Sequence, residues 1–471
     1  MSHCISPRDL PVKLRRWSVA ARRAMLFSLV SVASIVPALS DLSQAVDSSL
    51  VVSFRRDVAP LLNARCEACH GERVAKGDFR LDSFARLMDA GNDGDGQVVP
   101  GKPADSYLLD LLTSDDKSTR MPKDAPPLPP GQIELVRRWL PEGARFDGSD
   151  PALPLVEIMT PVTHPAPPDV YPRPLPITSL AFNADGTELF AGGLREVTVW
   201  NADDGKLVRR IKNIAPRTYA LALSPDGGVL AVGSGDPGRL GEVRMFDARS
   251  GDLLHVLTTL RDSVLDLKFS SHGRLLAVAS ADRSIRVFQA ATGERQKLIA
   301  THGDAVTSIA FSPDDQRLAA VSLDRAAKAH DLATGRGIAS FTEHSGPLYC
   351  VAFSPDGKQV FSSGKEKTIR IWDASLGKKV GEIVDTQGET LKLVTTESDL
   401  FAAGADKRVR QYTATDRKLL RTYESATDWI YALAIDPPRQ RLAAGCYDGT
   451  VRVWNMKDGT LLLAFMAAPG L

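Results

Sequence analysis

The strongest constraint on how this chain folds is a repeat in its C-terminal two-thirds. Short alternating strands end in an apolar residue ahead of a turn at Phe182, Leu223, Phe269, Phe311, Phe353, Val394 and Ile435, with steps of 41, 46, 42, 42, 41 and 41 residues. A second landmark closes a later strand at Trp200, Phe246, Phe288, His330, Trp372, Tyr412 and Trp454, with steps of 46, 42, 42, 42, 40 and 42. Two landmarks held in phase through seven units mark a structural repeat. Each unit has room for four short strands. A lone four-stranded sheet cannot bury both faces, so the units must pack around a common axis. The expectation is an all-β, seven-bladed β-propeller over residues 177–471. Turns such as Ser224-Pro-Asp-Gly227 and Ser354-Pro-Asp-Gly357 punctuate the strands: proline presets φ, aspartate bonds back to the backbone and glycine takes positive φ. Repeat two carries an insertion around 236–240, and repeat six is the most degenerate. Two segments compete to close the ring at blade seven, an added strand from 156–160 or the C-terminal strand around 460–465.

The units resemble WD40 repeats, with Trp372-Asp373 the full dipeptide and Trp454-Asn455 a near match. The resemblance implies a platform for partner proteins. It also implies that Asp282, Asp324, Asp406 and Asp448, with Glu366 as a longer substitute, brace the hairpin before the landmark strand, in part through His302 and His344. Cys350 and Cys446 fall in different repeats and read as buried thiols. His255, His272, His302, His330 and His344 form neither a metal-ligand spacing nor a nucleophile triad.

Ahead of the repeats, residues 149–176 are rich in proline and read as a stiff, extended linker. At the N-terminus, residues 24–38 (AMLFSLVSVASIVPA) carry no charge, follow a basic run and precede small residues. That pattern describes a secretory signal peptide over 1–45, cleaved after Ser40 or Ala45. A helix of this stretch reaches only about 22 Å, short of a roughly 30 Å hydrocarbon core, which disfavours a retained anchor. The body is therefore expected in the periplasm or another extracytoplasmic compartment, and at a membrane only if the leader is retained. The net charge of +1 divides into +5 for residues 1–40 and −4 for the remainder. A mildly acidic body lacks the basic face that nucleic acid requires.

Between leader and linker stands Cys66-Glu67-Ala68-Cys69-His70, a C-x-x-C-H motif of the kind that attaches c-type haem. Two thiols one helical turn apart can each bond a vinyl group of one porphyrin, and the imidazole after them then lies under the iron. A structural zinc site needs four ligands. Cys66, Cys69 and His70 are the only Cys and His between residues 50 and 150, so zinc is one ligand short. A thioredoxin-type pair wants a βαβ context that is missing. For the sixth iron ligand the segment offers Met88 and Met121. Met121 lies in Arg120-Met-Pro-Lys ahead of a helical stretch, and Met88 reads as a core residue beside Phe84 and Leu87. The alternative to Met121 is an open sixth position. A helix over 54–62 should lead into the motif, and a closing helix from Pro130, carrying Ile133, Val136, Trp139 and Leu140, should pack on it. Residues 89–100 have the flavour of an EF-hand loop, but Gly91 and Pro100 occupy ligand positions, so a glycine-rich loop is expected.

The stretch from about Phe54 to Phe146 resembles the planctomycete-type cytochrome c domain. The shared marks are Phe54-Arg-Arg-Asp-Val-Ala-Pro-Leu-Leu, Cys66-Glu-Ala-Cys-His-Gly, Phe79-Arg-Leu-Asp-Ser, Val99-Pro-Gly-Lys-Pro, Ser106-Tyr-Leu-Leu, Arg120-Met-Pro, and Trp139 with Gly143-Ala144. The resemblance implies a small all-α, class I-like cytochrome c domain over 50–148. It also implies one covalent haem c, with Met121 at the family's Met-Pro motif. The combined expectation is an exported one-electron carrier, more an electron-transfer protein than an enzyme, whose propeller docks a redox partner. The alternatives are a haem-containing oxidoreductase with a substrate or second cofactor in the propeller funnel, and a haem-based sensor.

Overall fold

A computed structural model describes residues 51–72, 74–89, 97–148, 150–384 and 386–471. The leader and residues 90–96 of the EF-hand-like segment lie outside the described residues.

Seven four-stranded antiparallel sheets form, each from strands consecutive in the chain. Blade one comprises Leu180–Phe182, Glu188–Gly192, Val197–Asn201 and Leu207–Ile211, and blade seven Ile430–Asp436, Arg441–Cys446, Thr450–Asn455 and Leu461–Met466. The landmarks share one register. Trp200 faces Leu189, His330 faces Leu318, Trp372 faces Val360 and Trp454 faces Leu442. Blade six departs from it. There Thr395 pairs with Leu400, as Phe353 pairs with Val360 in blade five. The apolar landmark at Val394 is thus one residue early, because the turn after it lacks the Pro-Asp-Gly sequence and is shorter. The insertion in repeat two lengthens a hairpin, whose strands Val229–Asp236 and Leu240–Asp247 stay paired out to Asp236 and Leu240.

Side chains alternate between the faces of a strand, and each blade uses both faces. Leu221, Leu230 and Val232 of blade two join Phe190, Val197 and Val199 of blade one. From the same blade, Ala220, Ala231 and Val243 join Val264, Leu267 and Leu276 of blade three. The ring closes in the same manner, with Leu180, Phe182 and Trp200 packed against Ala432, Ala443 and Val453. No strand is exchanged at that seam. Arg441 of blade seven donates to Asp203 of blade one at 2.8 Å and to the Gly186 carbonyl. The C-terminal strand completes its own blade, and the 156–160 segment adds no strand to it.

The N-terminal body is built from short helices joined by turns: α1 (Ala59–Arg65), α2 (Glu67–His70), α3 (Phe84–Leu87), α4 (Tyr107–Thr113), α5 (Pro130–Trp139) and α6 (Leu155–Ile158). Ser53 accepts from the Arg56 N–H and caps a turn over Phe54–Val58 that runs into α1. Phe54, Val58, Leu62, Leu87, Leu112, Val136 and Trp139 form the centre of one core. The Phe54 and Trp139 rings stand 5.5 Å apart, which fixes α5 against the entry to α1.

The proline-rich segment is not a free spacer. Its α6 buries Leu155 and Ile158 in the helical core. Beyond α6 the chain is extended but strapped over blades two and one. Proline has no N–H, so the strap is held mainly through its carbonyls and side chains. Arg244 donates to Val162 O at 2.5 Å, and Arg210 donates to Pro168 O at 2.6 Å and Asp169 O at 3.0 Å. His164 pairs with Glu242 at 2.7 Å, and the Tyr171 hydroxyl donates to Glu196 at 2.6 Å.

Candidate functional site

Helix α1 ends at Cys66, whose φ of −123° turns the chain into α2. The Cys69 and His70 N–H groups both donate to Cys66 O, at 3.1 and 3.0 Å, which gathers the two thiols and the imidazole in one turn. Gly71 follows because the backbone passes too close for a side chain: a Cβ there would lie 2.6 Å from Glu67 O. The His70 carbonyl then accepts from Leu81 N at 2.8 Å, holding the segment that carries Phe79 beside the motif.

That placement sets the chemistry of the imidazole. His70 Nδ1–H donates to Phe79 O across 3.3 Å. This leaves the Nε2 lone pair as the ring atom able to ligate a metal, with the Phe79 carbonyl fixing ring orientation and tautomer. Cys66 and Cys69 are both free thiols, the first half-buried and the second exposed. Burial pushes the Cys66 thiol up to about 11, with Cys69 adding to the effect and Arg65 opposing it. Among the described residues no group of three or more His, Cys, Asp or Glu gathers to cage a metal ion. The donor set of two free thiols and one oriented imidazole fits a covalently held haem.

Met121 and Met88 are both half-buried against the helical core that also receives Cys66. The Met121 N–H donates to Leu111 O at 2.9 Å, which ties its loop to α4. Beside it, Arg120 Nε is buried without a partner.

Sequence reasoning missed the seam between this body and the propeller. Arg261, in the connection from Leu253–Leu260 of blade two to Val264–Phe269 of blade three, meets Glu67 at 2.7 Å, Glu72 at 3.7 Å and Asp82 at 3.8 Å. Glu67 stands inside the C-x-x-C-H motif. Burial pushes its carboxyl upward, and Arg261 opposes that. A second contact joins Glu157 of α6 to Arg295 at 2.5 Å and Arg286 at 3.5 Å of blade three. Val156 O accepts from the Thr259 hydroxyl of blade two. Pairs this far apart in sequence leave no local signature. Glu196 and Glu242, which hold the strap, leave a weak one. They stand four residues before their landmarks, a slot filled by Ser284, Ala326, Thr368, Arg408 and Thr450 in the later blades, and are the two carboxylates there.

The propeller's own polar residues are largely structural. In blade five His344 bonds Glu366 through Nδ1 and Ser362 Oγ through Nε2 at 2.8 Å, and Trp372 Nε1 donates to the same hydroxyl at 3.1 Å. In blade four His302 bonds Asp324 at 3.0 Å. Burial alone would raise Asp324, but His302 and the Ala326 and Gly303 N–H groups hold it down at about 2. Cys350 and Cys446 are buried free thiols. The central channel, about 710 Å³, holds Asp266 between Lys268 at 3.0 Å and Lys392 at 3.8 Å. Ser308 Oγ and Ile309 N donate to its other oxygen, at 2.8 and 3.1 Å.

Comparison with known proteins agrees with this division. Residues 66–125 match the family described as Planctomycete cytochrome C. Residues 251–289, 293–331, 335–373 and 417–455 match the WD domain, G-beta repeat. Each matched repeat takes the last strand of one blade and the first three of the next. A stretch of 68 residues is 32% identical to the human (Homo sapiens) kinesin-like protein KIF21A, covering 14% of this chain and only 4% of the length of that protein. The chain thus joins a region similar to planctomycete cytochrome C to a seven-bladed β-propeller carrying WD40 repeats.

Proposed function

We propose that this chain is an exported c-type cytochrome. It passes one electron through a single haem c bonded to Cys66 and Cys69, and its propeller offers the surface on which a protein redox partner docks. The observation that carries the reading is the His70 ring, oriented by the Phe79 carbonyl in the same turn as two free thiols. Short helices around one core suit an all-α, class I-like cytochrome c domain. When bound, the haem supplies a reversible one-electron couple. The protein's part is to orient His70, to exclude water with the Phe54–Trp139 core, and to offer Met121 as sixth ligand, a thioether that raises the potential.

The test is direct. Protein produced in a host that attaches c-type haem should keep haem staining on a denaturing gel, and Cys66→Ala with Cys69→Ala should abolish it. Wild-type protein without stain, or a double variant that keeps it, rejects the assignment. The reduced-minus-oxidised spectrum of Met121→Ala should lose the weak long-wavelength band of methionine ligation. An unchanged band removes Met121 from the site. A second reading, an oxidoreductase with a small-molecule site, draws on the channel where Lys268 and Lys392 converge on Asp266. Turnover of a small substrate that Lys392→Met abolishes, with haem retained, would favour it.

A further inference from the structure

We infer that Arg261 of the propeller is a positioning residue for the haem-attachment turn. It clamps Glu67 so that the Cys66–His70 turn is held against the rim of blades two and three. The inference rests on the haem reading above for its redox consequence, and on geometry alone for the clamp.

Three observations carry it. First, Glu67 lies between the two cysteines, its side chain only 10% exposed, and its carboxylate is paired by Arg261 at 2.7 Å. Arg261 is itself 28% exposed, so the pair is partly screened, but removing it leaves the largely buried Glu67 carboxylate short of a cation. Second, the seam is keyed by charge at two separate points. The helical body presents Glu67, Glu72, Asp82 and Glu157, and the propeller presents Arg261, Arg286 and Arg295. Third, the two points are tied to each other within the body. Leu155 N donates to Asp82 O at 2.9 Å, and Ser83 bridges to Pro154. The turn that carries the cysteines and the helix that carries Glu157 therefore dock as one piece.

The electrostatic consequence follows from the local inventory. Two arginines, Arg80 and Arg261, face three carboxylates at the turn, with Arg80 bound to Asp82 at 2.7 Å. Arg261 is the cation that the propeller adds to this set. A haem held by Cys66 and Cys69 would become more negative on reduction, so the positive charge of Arg261 at this turn would favour the reduced form and raise the potential.

The experiment uses the full chain with Arg261→Glu, Arg261→Lys and the swap Glu67→Arg with Arg261→Glu. Hydrogen exchange of residues 66–72 is followed before haem attachment, and the midpoint potential after it. Arg261→Glu should speed exchange of 66–72 by about tenfold or more, in the range of coupling for paired buried charges, while peptides of blade seven stay protected. It should also lower the potential. The lysine variant should fall between, and the swap should recover both protection and potential. Unchanged exchange and potential in Arg261→Glu overturn the inference, as does a swap no better protected than the single variant. Wild-type protein without covalent haem rejects the proposed function instead, and the exchange measurements then decide the clamp by themselves.

Discussion

The helical body and the propeller solve the same packing problem in opposite ways. The body gathers short helices on one core, where Phe54, Val58, Val136 and Trp139 are fully buried. The propeller has no single centre. Each blade shares one face with the blade before it and the other with the blade after it. A lesion in the body therefore strikes its whole core, whereas a lesion in the ring strikes one joint of several. The difference suits the tasks proposed for them: one would hold a reactive group at fixed geometry, and the other would supply a wide, stiff surface.

Truncating one tryptophan in each region should break or sharpen this contrast most. Trp139 is buried, stacks near Phe54 and donates to Arg145 O at 3.2 Å. Trp139→Ala should cost about 3–5 kcal/mol and unfold the body below the transition of the ring, read as two transitions in calorimetry. Trp372→Ala should cost a similar amount but lower one ring transition without splitting it. A single shared transition in Trp139→Ala would mean that the docked seam makes body and ring one cooperative unit.

The next effect belongs to the ring alone. His330 occupies the landmark slot of blade four. Burial, with His302 and Lys328 nearby, lowers it from its ordinary 6.5 to about 4. As pH falls, the unfolded chain binds a proton near 6.5 while the folded chain resists until about 4. Stability is complete above that window and is lost through it, by roughly 3 kcal/mol at most. His330→Phe, the residue type that fills this slot in blades two and three, should flatten denaturation midpoints between pH 4 and 6.5. A slope that survives the substitution assigns the acid sensitivity elsewhere. The smallest effect is expected on the exposed face of α5, where Glu134 and Arg137 pair at 3.4 Å. Glu134→Ala should shift stability by only about 0.5 kcal/mol or less. A larger shift would reveal a role for that face.

What could be read from the sequence divides along physical lines. The seven-fold ring was legible because strand alternation and turn chemistry are local and were written seven times. The register failed only at Val394, where the turn changed length. That Cys66, Cys69 and His70 share one turn was legible because their spacing is local. The orientation of His70 by Phe79 was not, since it depends on where the chain returns nine residues later. Nor could Glu67 be matched to Arg261, because an ion pair across the fold leaves no pattern along the chain. The proline-rich segment looked like a spacer because prolines mark extended chain equally in solvent and against a surface. What distinguished the two was Glu196 and Glu242 lying beneath it.

The seam of the ring carries one last consequence. Blades one and seven meet without a shared strand, and the segment leading in from the helical body is laid along that joint. Tyr171 N donates to Pro469 O at 2.9 Å, and Ile177 N donates to Cys446 O at 3.1 Å. The incoming chain acts as a suture, so the load path from the helical body ends on the joint between the first and last blades, which the chain itself does not connect. A pull on the helical body meets the strap's bonds to blades two and one, through Arg244 and Arg210, before it reaches this joint.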